Sequence, residues 1–121
     1  MFAVWEPILV TDWMRPGAPV LGLIPDLRAH QYWDRGHLLA QRLAADAREP
    51  QPEQDCCTRK GILWDLAAVY PPGLQWTDHV PPAVFFNGPV VKVRDEFERA
   101  VTASRTGQRG SANSVRTASS N

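Results

Sequence analysis

The chain has 121 residues, which is the usual size of one domain. Its thirteen basic residues balance its thirteen acidic residues, so no net charge attracts nucleic acid or an anionic membrane surface. Hydrophobic residues make up 44% of the chain, which excludes wholesale disorder, and two cysteines are too few to staple a small secreted scaffold. The fold is therefore expected to depend on an apolar core.

The first residues form an apolar segment that is predicted to be a β-strand from Phe2 to about Val10. Runs of Val, Ile, Leu and Trp without strict alternation are typical of a parallel strand covered on both faces. Glu6 and Pro7 interrupt the run and no basic leader precedes it, which makes it a poor signal peptide. Because such strands usually lie between neighbours from earlier sequence, we expect a domain that is incomplete at its N-terminus.

The sequence also limits where the protein works and what it contacts. No stretch approaches the roughly 20 apolar residues of a membrane span, so we expect a cytoplasmic chain with no membrane partner. The arginines between residues 102 and 121 are too sparse for a nucleic-acid arm, and no nucleic-acid partner is expected. No other partner is specified by the sequence.

A loop is predicted from Asp12 to Pro25, because proline and glycine punctuate this segment. Loops of this length are often functional. Trp13 lies at the carboxyl end of the first strand, where open α/β sheets bind ligands. The loop over residues 12–25 is therefore a candidate binding surface, with Trp13 as its candidate ligand contact.

Two helices are predicted after this loop. Asp26 is a good N-cap for a short helix over residues 27–33, and Asp34 is one for a longer helix from His37 to Arg48. The longer segment consists of strong helix formers with one apolar stripe. The polar segment from Glu49 to Lys60 is predicted to be a loop.

A second strand is predicted from Gly61 to Tyr70, with helix as the competing interpretation. Strand, helix and strand together form a βαβ unit, whose two strands run parallel with a right-handed crossover. Asp65 within the apolar strand is a candidate buried carboxylate with a raised pKa. The alternative is a carboxylate at the sheet surface, bonded to a neighbouring side chain or backbone amide.

A β-hairpin is predicted over residues 84–93, because Asn87-Gly88 is a favoured two-residue turn. Asp95 is then expected to cap a last helix. Residues 102–121 contain five serines but neither an acid nor an aromatic residue, which predicts a disordered tail. The predicted organisation is one domain over residues 1–101 followed by this tail.

Several segments resemble the C-terminal portion of thioredoxin-like (redoxin) proteins. They are VWEPIL, the Tyr32-Trp33-Asp34 triplet, ILWDLAAVYPPGLQW and VPPAVFFNGPVVKV. The resemblance covers roughly residues 2–101. It implies an α/β fold with a mixed sheet, in which a parallel βαβ unit is followed by a β-hairpin and a C-terminal helix.

The resemblance also implies a function related to thiol–disulfide chemistry. That chemistry uses Cys-x-x-Cys at a helix N-terminus, where the pKa of the attacking thiol is lowered. No Cys-x-x-Cys is present in the 121 residues, so the usual catalytic cysteines are absent from this chain. The family's cis-proline is expected at Pro82 or at Pro81.

Cys56 and Cys57 are the only thiols and therefore the candidate catalytic residues. Adjacent cysteines can form a disulfide that is easily reduced, and Arg59 and Lys60 nearby favour thiolate. The alternative is a pair of ordinary thiols without function. Two ligands are too few for structural zinc, so neither a metal nor a cofactor is expected.

Asp34-Arg35-Gly36-His37 resembles a motif of the ββα-metal nucleases. In those enzymes the histidine acts as general base and a downstream asparagine holds magnesium, which makes His37 the candidate base here. The first asparagine in the chain is Asn87, within the predicted hairpin. The alternative is an ordinary helix start with Asp34 as its cap.

Overall fold

The computed structural model describes residues 1–46 and 57–118. The chain forms two compact units, an N-terminal unit from Met1 to Arg42 and a C-terminal unit from Leu43 to Asn121. The described strands form three two-stranded sheets, combined with helices. The protein therefore has mixed α/β content.

The N-terminal unit contains a parallel strand pair. β1 (Phe2–Trp5) pairs with β2 (His30–Trp33), so that Phe2 lies opposite His30 and Trp5 lies opposite Trp33. The one-turn helix α1 (Ala18–Leu21) lies in the connection, within the segment predicted to be a loop. Helix α2 (Leu38–Asp46) follows β2.

The side chain of Gln31 joins the strand pair to the connecting segment. Its amide oxygen accepts a hydrogen bond from the Trp5 indole nitrogen at 2.9 Å, and its amide nitrogen donates to the carbonyl of Leu21 at 3.0 Å. Donor and acceptor groups of Gln31 are thus both used in half-buried surroundings.

β1 is shorter and more exposed than the predicted strand. Its residues alternate between exposed and half-buried, which contradicts burial on both faces. The strand ends early because Pro7 has no amide donor for a ladder. Beyond it, Asp12 Oδ2 accepts from the amides of Leu9 at 3.0 Å and Ile8 at 3.4 Å, which closes a turn.

The predicted short helix over residues 27–33 is wrong, since residues 30–33 form β2. Asp26 closes a turn instead of capping a helix. Its carboxylate accepts from the Arg28 amide at 2.9 Å and pairs with the Arg28 guanidinium at 2.6 Å, while its carbonyl accepts from the Ala29 amide. The hydrogen bonds from Arg28 hold the pKa of Asp26 well below its usual range.

The longer predicted helix is confirmed as α2, within the described residues. Asp34 caps it: Oδ1 accepts from the Leu38 amide at 2.8 Å and Oδ2 accepts from the Leu39 amide at 2.8 Å. Oδ2 also lies 3.3 Å from the Ala40 amide nitrogen. One carboxylate therefore satisfies the free donors of the first turn.

The described residues from position 57 onward belong to the C-terminal unit and begin with a β-hairpin. β3 (Thr58–Arg59) pairs antiparallel with β4 (Ile62–Leu63). The two residues between them, Lys60 and Gly61, have φ angles of 51° and 73°. Positive φ at both positions is typical of a two-residue hairpin turn that matches the strand twist.

The predicted strand over residues 61–70 is interrupted, because Asp65 has a φ of 51° and ends the extended backbone. After this break, β5 (Ala67–Val69) pairs antiparallel with β6 (Phe85–Asn87). Since β1 pairs with β2, the predicted βαβ unit between the first strand and residues 61–70 is wrong.

The predicted hairpin at Asn87-Gly88 is also wrong, because helix α3 (Val90–Ala118) begins three residues after Asn87. Pro89 has no amide to donate to a returning strand. Its carbonyl instead accepts from the Lys92 amide at 2.9 Å, in the first turn of α3. Asp95 consequently lies inside the helix and does not cap it.

Residues 102–118 are helical, which contradicts the predicted disordered tail for this part of the chain. Polar side chains bond to the helix backbone there. The Thr102 hydroxyl donates to the carbonyl of Glu98 at 2.9 Å, and the Thr106 hydroxyl donates to the carbonyl of Thr102 at 2.9 Å. Residues 119–121 lie outside the described part.

A buried cluster lies in the C-terminal unit, in which α3 also packs on β5 and β6. Its most buried side chain is Phe86, which is 1% exposed. The cluster consists of Cys57, Leu63, Ala83 and Phe86, with Leu43, Ala44, Leu66, Ala68 and Tyr70 packed against it. Within residues 1–46 and 57–118, every helix is too short or too polar to cross a membrane.

Candidate functional site

Cys57 lies immediately before β3 and belongs to the buried cluster. It is disulfide-bonded, and 6% of the residue is exposed. Its φ of 90° is in the left-handed region that favours glycine. Strained backbone at a non-glycine residue is typical of functional sites. Cys56 lies outside the described residues.

The sulfur of Cys57 lies close to the backbone of Asp65 and of Gly88. The Trp64 amide donates to the Cys57 carbonyl at 2.8 Å, which fixes the hairpin around it. The carbonyl oxygen of Asp65 lies 3.6 Å from Sγ. Gly88 lies so close that a Cβ atom there would be 2.8 Å from Sγ and 2.3 Å from the Asp65 oxygen. Only glycine fits this position without a shift of its neighbours.

Asp65 connects this site to the start of α3. Its Oδ1 accepts from the Val90 amide at 3.2 Å, and the residue is exposed. The prediction that the Asp65 carboxylate is buried is therefore wrong. The structure contains the alternative, a carboxylate bonded to a backbone amide. The N-terminus of a helix carries partial positive charge, and Gly88 lies two residues before it. The Asp65 carboxylate therefore caps the N-terminus of α3 close to the sulfur of Cys57.

Tyr70 packs against the buried cluster that contains Cys57. Burial raises the pKa of its phenol above the usual value. A raised pKa keeps the phenol uncharged throughout the neutral pH range. Tyr70 therefore adds no charge to the surroundings of the disulfide.

The structure places the cis peptide bond of the described residues between Gly88 and Pro89. The bonds before Pro81 and Pro82 are trans, so the predicted cis-proline position is wrong. Pro82 is exposed, outside the buried cluster. The cis bond belongs instead to the segment that contacts the Cys57 sulfur.

The Asp34-Arg35-Gly36-His37 motif joins β2 to α2. His37 has a φ of 55°, and its Nδ1 lies 2.9 Å from Oε2 of Glu6. The side chains of His37 and Glu6 are 24% and 13% exposed. The motif therefore combines a helix cap with a partly buried histidine–carboxylate pair.

The structural context of the nuclease motif is absent from the described part of the chain. The motif follows a strand of a parallel pair and does not close a β-hairpin. Asn87 belongs to β6 in the other unit. Within the described ranges, no group of three or more His, Cys, Asp or Glu side chains is placed to hold a metal ion.

Trp13 lies in the connection between β1 and α1. It is 75% exposed, and the adjacent Met14 is 82% exposed. Large apolar side chains with this exposure are available to a ligand or a partner. The structure thus keeps Trp13 accessible, as a binding surface requires.

Glu6 and Gly88 are the two residues of these sites that the sequence did not predict. In the sequence Glu6 only interrupts an apolar strand, and its contact with His37 spans 31 positions. Gly88 was interpreted as a turn residue. Its contact with Cys57 spans 31 positions, and no local pattern indicates it.

Comparison with known proteins adds no relative. No family model, no curated protein and no solved structure matches the chain. The candidate functional residues of the chain are therefore Cys57, His37 and Trp13, on the basis of their geometry.

Proposed function

We propose that the chain is a thiol–disulfide protein in which Cys57 forms a reversible disulfide with Cys56. The observation that carries this proposal is the disulfide at Cys57, buried against the start of α3. The chain contains only two cysteines, so Cys56 is the partner inferred from the sequence.

The burial of Cys57 determines which sulfur a reductant is expected to attack. Only 6% of Cys57 is exposed, so an external thiolate attacks the sulfur of Cys56. The S–S bond breaks, and Cys57 leaves as a thiolate and is protonated. The second thiol of a dithiol reductant then displaces Cys56. The reductant becomes a disulfide, and the chain gains two electrons and two protons.

Burial disfavours a thiolate at Cys57, and two cations that follow it in the chain partly offset this effect. Arg59 and Lys60, two and three residues further on, are exposed cations in the β3–β4 hairpin. After protonation, the Cys57 thiol has the Asp65 carbonyl 3.6 Å away as an acceptor. The reduced Cys57 thiol therefore has a hydrogen-bond acceptor within its buried site.

The thioredoxin-like fold remains part of this proposal in a limited form. In its favour, an antiparallel strand pair, β5 and β6, is followed by a helix that packs on it. The parallel pairing of β1 with residues 61–70, which the resemblance implied, is absent. The proposed redox function therefore depends on the disulfide and not on fold kinship.

Insulin reduction tests the proposed function. Purified chain is expected to accelerate the precipitation of insulin by dithiothreitol, since it would cycle between disulfide and dithiol. Cys56→Ser and Cys57→Ser are each expected to be as inactive as the double variant, because the cycle needs both sulfurs. Trp13→Ala, outside the C-terminal unit, is the matched control and should retain full turnover. Absence of acceleration by the wild-type chain would refute the proposal.

A binding module is the second candidate function, and the exposure of Trp13 favours it. An apolar small molecule or peptide that binds there is expected to quench tryptophan fluorescence. The quenching should persist in the Cys56→Ser, Cys57→Ser double variant and disappear in Trp13→Phe. Quenching that depends on the cysteines would contradict this candidate.

A further inference from the structure

The pair of Glu6 and His37, here called the Glu6–His37 dyad, has no part in the proposed redox function. Nδ1 of His37 lies 2.9 Å from Oε2 of Glu6 across 31 positions of sequence. Both side chains are largely buried, at 24% and 13% exposure. A histidine with these features is held in one orientation by the fold.

The dyad lies where the N-terminal unit is expected to bind a ligand. Glu6 directly follows β1, and His37 follows β2 by four residues. The two strands are parallel, so both residues follow their carboxyl ends at the same edge. Open α/β sheets bind ligands at this edge.

The contact with Glu6 determines which nitrogen of His37 is free to react. A carboxylate at Nδ1 keeps the proton of the neutral ring on that atom and the lone pair on Nε2. The negative charge beside Nδ1 increases the electron density of the ring. Nε2 is thereby activated as a nucleophile, as in other histidine–carboxylate pairs.

The charges around the dyad determine the kind of electrophile. Glu6 contributes the carboxylate that contacts His37, and the Asp34 carboxylate is taken up by the amides of the first turn of α2. Among the described residues, no lysine or arginine forms an ion pair with Glu6 or His37. The Glu6 carboxylate, without a lysine or arginine partner among the described residues, repels a phosphate group and admits an uncharged reagent.

We propose that His37 is a nucleophilic imidazole that takes an acyl group at Nε2 from an uncharged, activated ester. Nε2 attacks the ester carbonyl, the bond to the leaving oxygen breaks, and the alkoxide or phenolate departs. The proton on Nδ1 is stabilised by Glu6 while the ring is acylated. Water then hydrolyses the acyl-imidazole to a carboxylic acid, which restores the neutral ring.

The chain contains three histidines, and the other two are matched controls. His79 has a side chain that is 77% exposed, and His30 is also exposed. If exposure alone governed reactivity, these two histidines would react before His37. The proposal requires the opposite order.

The experiment uses p-nitrophenyl acetate and the full chain near pH 8. The rate of p-nitrophenolate release is expected to fall at least about tenfold in His37→Ala. A positioned acid or base usually contributes about a hundredfold or more, so a tenfold fall is a cautious minimum. Glu6→Gln, which keeps the size of the side chain and removes its charge, should lower the rate by a smaller factor. His30→Ala and His79→Ala should retain the wild-type rate.

Peptide mapping of the wild-type chain keeps the test independent of whether a variant folds. After rapid acid quenching, mass spectrometry should locate the acetyl group on His37 before His30 or His79. A ring-nitrogen NMR experiment should also show the proton of neutral His37 on Nδ1. Acetylation that begins at His79, or an unchanged rate in a folded His37→Ala, would overturn the proposal. The dyad shares no residue with the cysteine pair. The failure of one proposal therefore leaves the other untouched.

Discussion

Replacement of Gly88 by alanine tests the close approach around the Cys57 sulfur. An added Cβ would lie 2.3 Å from the carbonyl oxygen of Asp65 and 2.8 Å from Sγ of Cys57. Neither atom is the free end of a flexible side chain. The backbone at Asp65 or the start of α3 must therefore move.

The expected cost follows from this overlap. Extra atoms in a well-packed site usually cost about 1–3 kcal/mol. Alanine also lowers the conformational entropy of the unfolded chain. This effect stabilises the folded state by up to about 1 kcal/mol and offsets part of the cost. We therefore expect Gly88→Ala to lower the free energy of unfolding by about 1–2 kcal/mol, with the melting temperature falling by roughly 3–12 °C.

Urea unfolding monitored by far-UV circular dichroism measures this effect. Gly107→Ala is the matched control, because a Cβ at Gly107 meets nothing within 4 Å and the residue lies inside α3. Alanine is the better helix former, so this control should gain up to about 1 kcal/mol. If Gly88→Ala unfolded at the wild-type urea concentration or higher, the contact between Gly88 and Cys57 would be refuted.

Three further substitutions test other parts of the structure. Asp34→Ala should lower the free energy of unfolding by about 1 kcal/mol through loss of the α2 cap, whereas Asp34→Asn should retain most of the wild-type stability. Equal urea midpoints for the wild-type chain and Asp34→Ala would contradict the cap. Gln31→Leu removes the hydrogen bonds of the Gln31 side chain to the Trp5 indole and the Leu21 carbonyl, and should lower the free energy of unfolding by about 1–3 kcal/mol. An unchanged melting temperature would contradict these two hydrogen bonds. Burial raises the pKa of Tyr70, so the folded state retains a proton that the unfolded state releases. This contribution is complete below about pH 10 and is lost as pH rises through the folded pKa, so Tyr70→Phe should flatten the alkaline fall in stability.

Local sequence patterns predicted the elements whose causes are local. Helix α2 follows from strong helix formers and from the Asp34 carboxylate, which lies within six positions of the amides it caps. The mixed α/β content follows from alternating apolar runs and helical segments. These features depend on residues that are neighbours in the sequence.

The pairing of strands was not predictable in the same way. Residues 30–33 were interpreted as helix, because Asp26 is as suitable for a turn as for a cap. Their extended conformation depends on pairing with β1, across more than twenty positions. Pro89 shows the same ambiguity, since it ends a strand and begins a helix equally well.

The candidate sites were predictable as residues but not as geometry. Cys57 and His37 were selected by residue type. Their partners, Gly88 and Glu6, come from segments 31 positions away in each case. The pairing of distant segments is set by tertiary packing, and a single sequence contains little information about it.

The central claim is that the disulfide of Cys57 is reversible, and an equilibrium redox titration tests it most directly. The chain is held at a series of dithiothreitol ratios, reduced to oxidised, and trapped with a maleimide mass tag. We predict one transition in which both cysteines acquire tags together, with the slope of a two-electron couple. A chain that stays fully tagged or fully untagged at every ratio, or that accumulates a single tag, would contradict the claim.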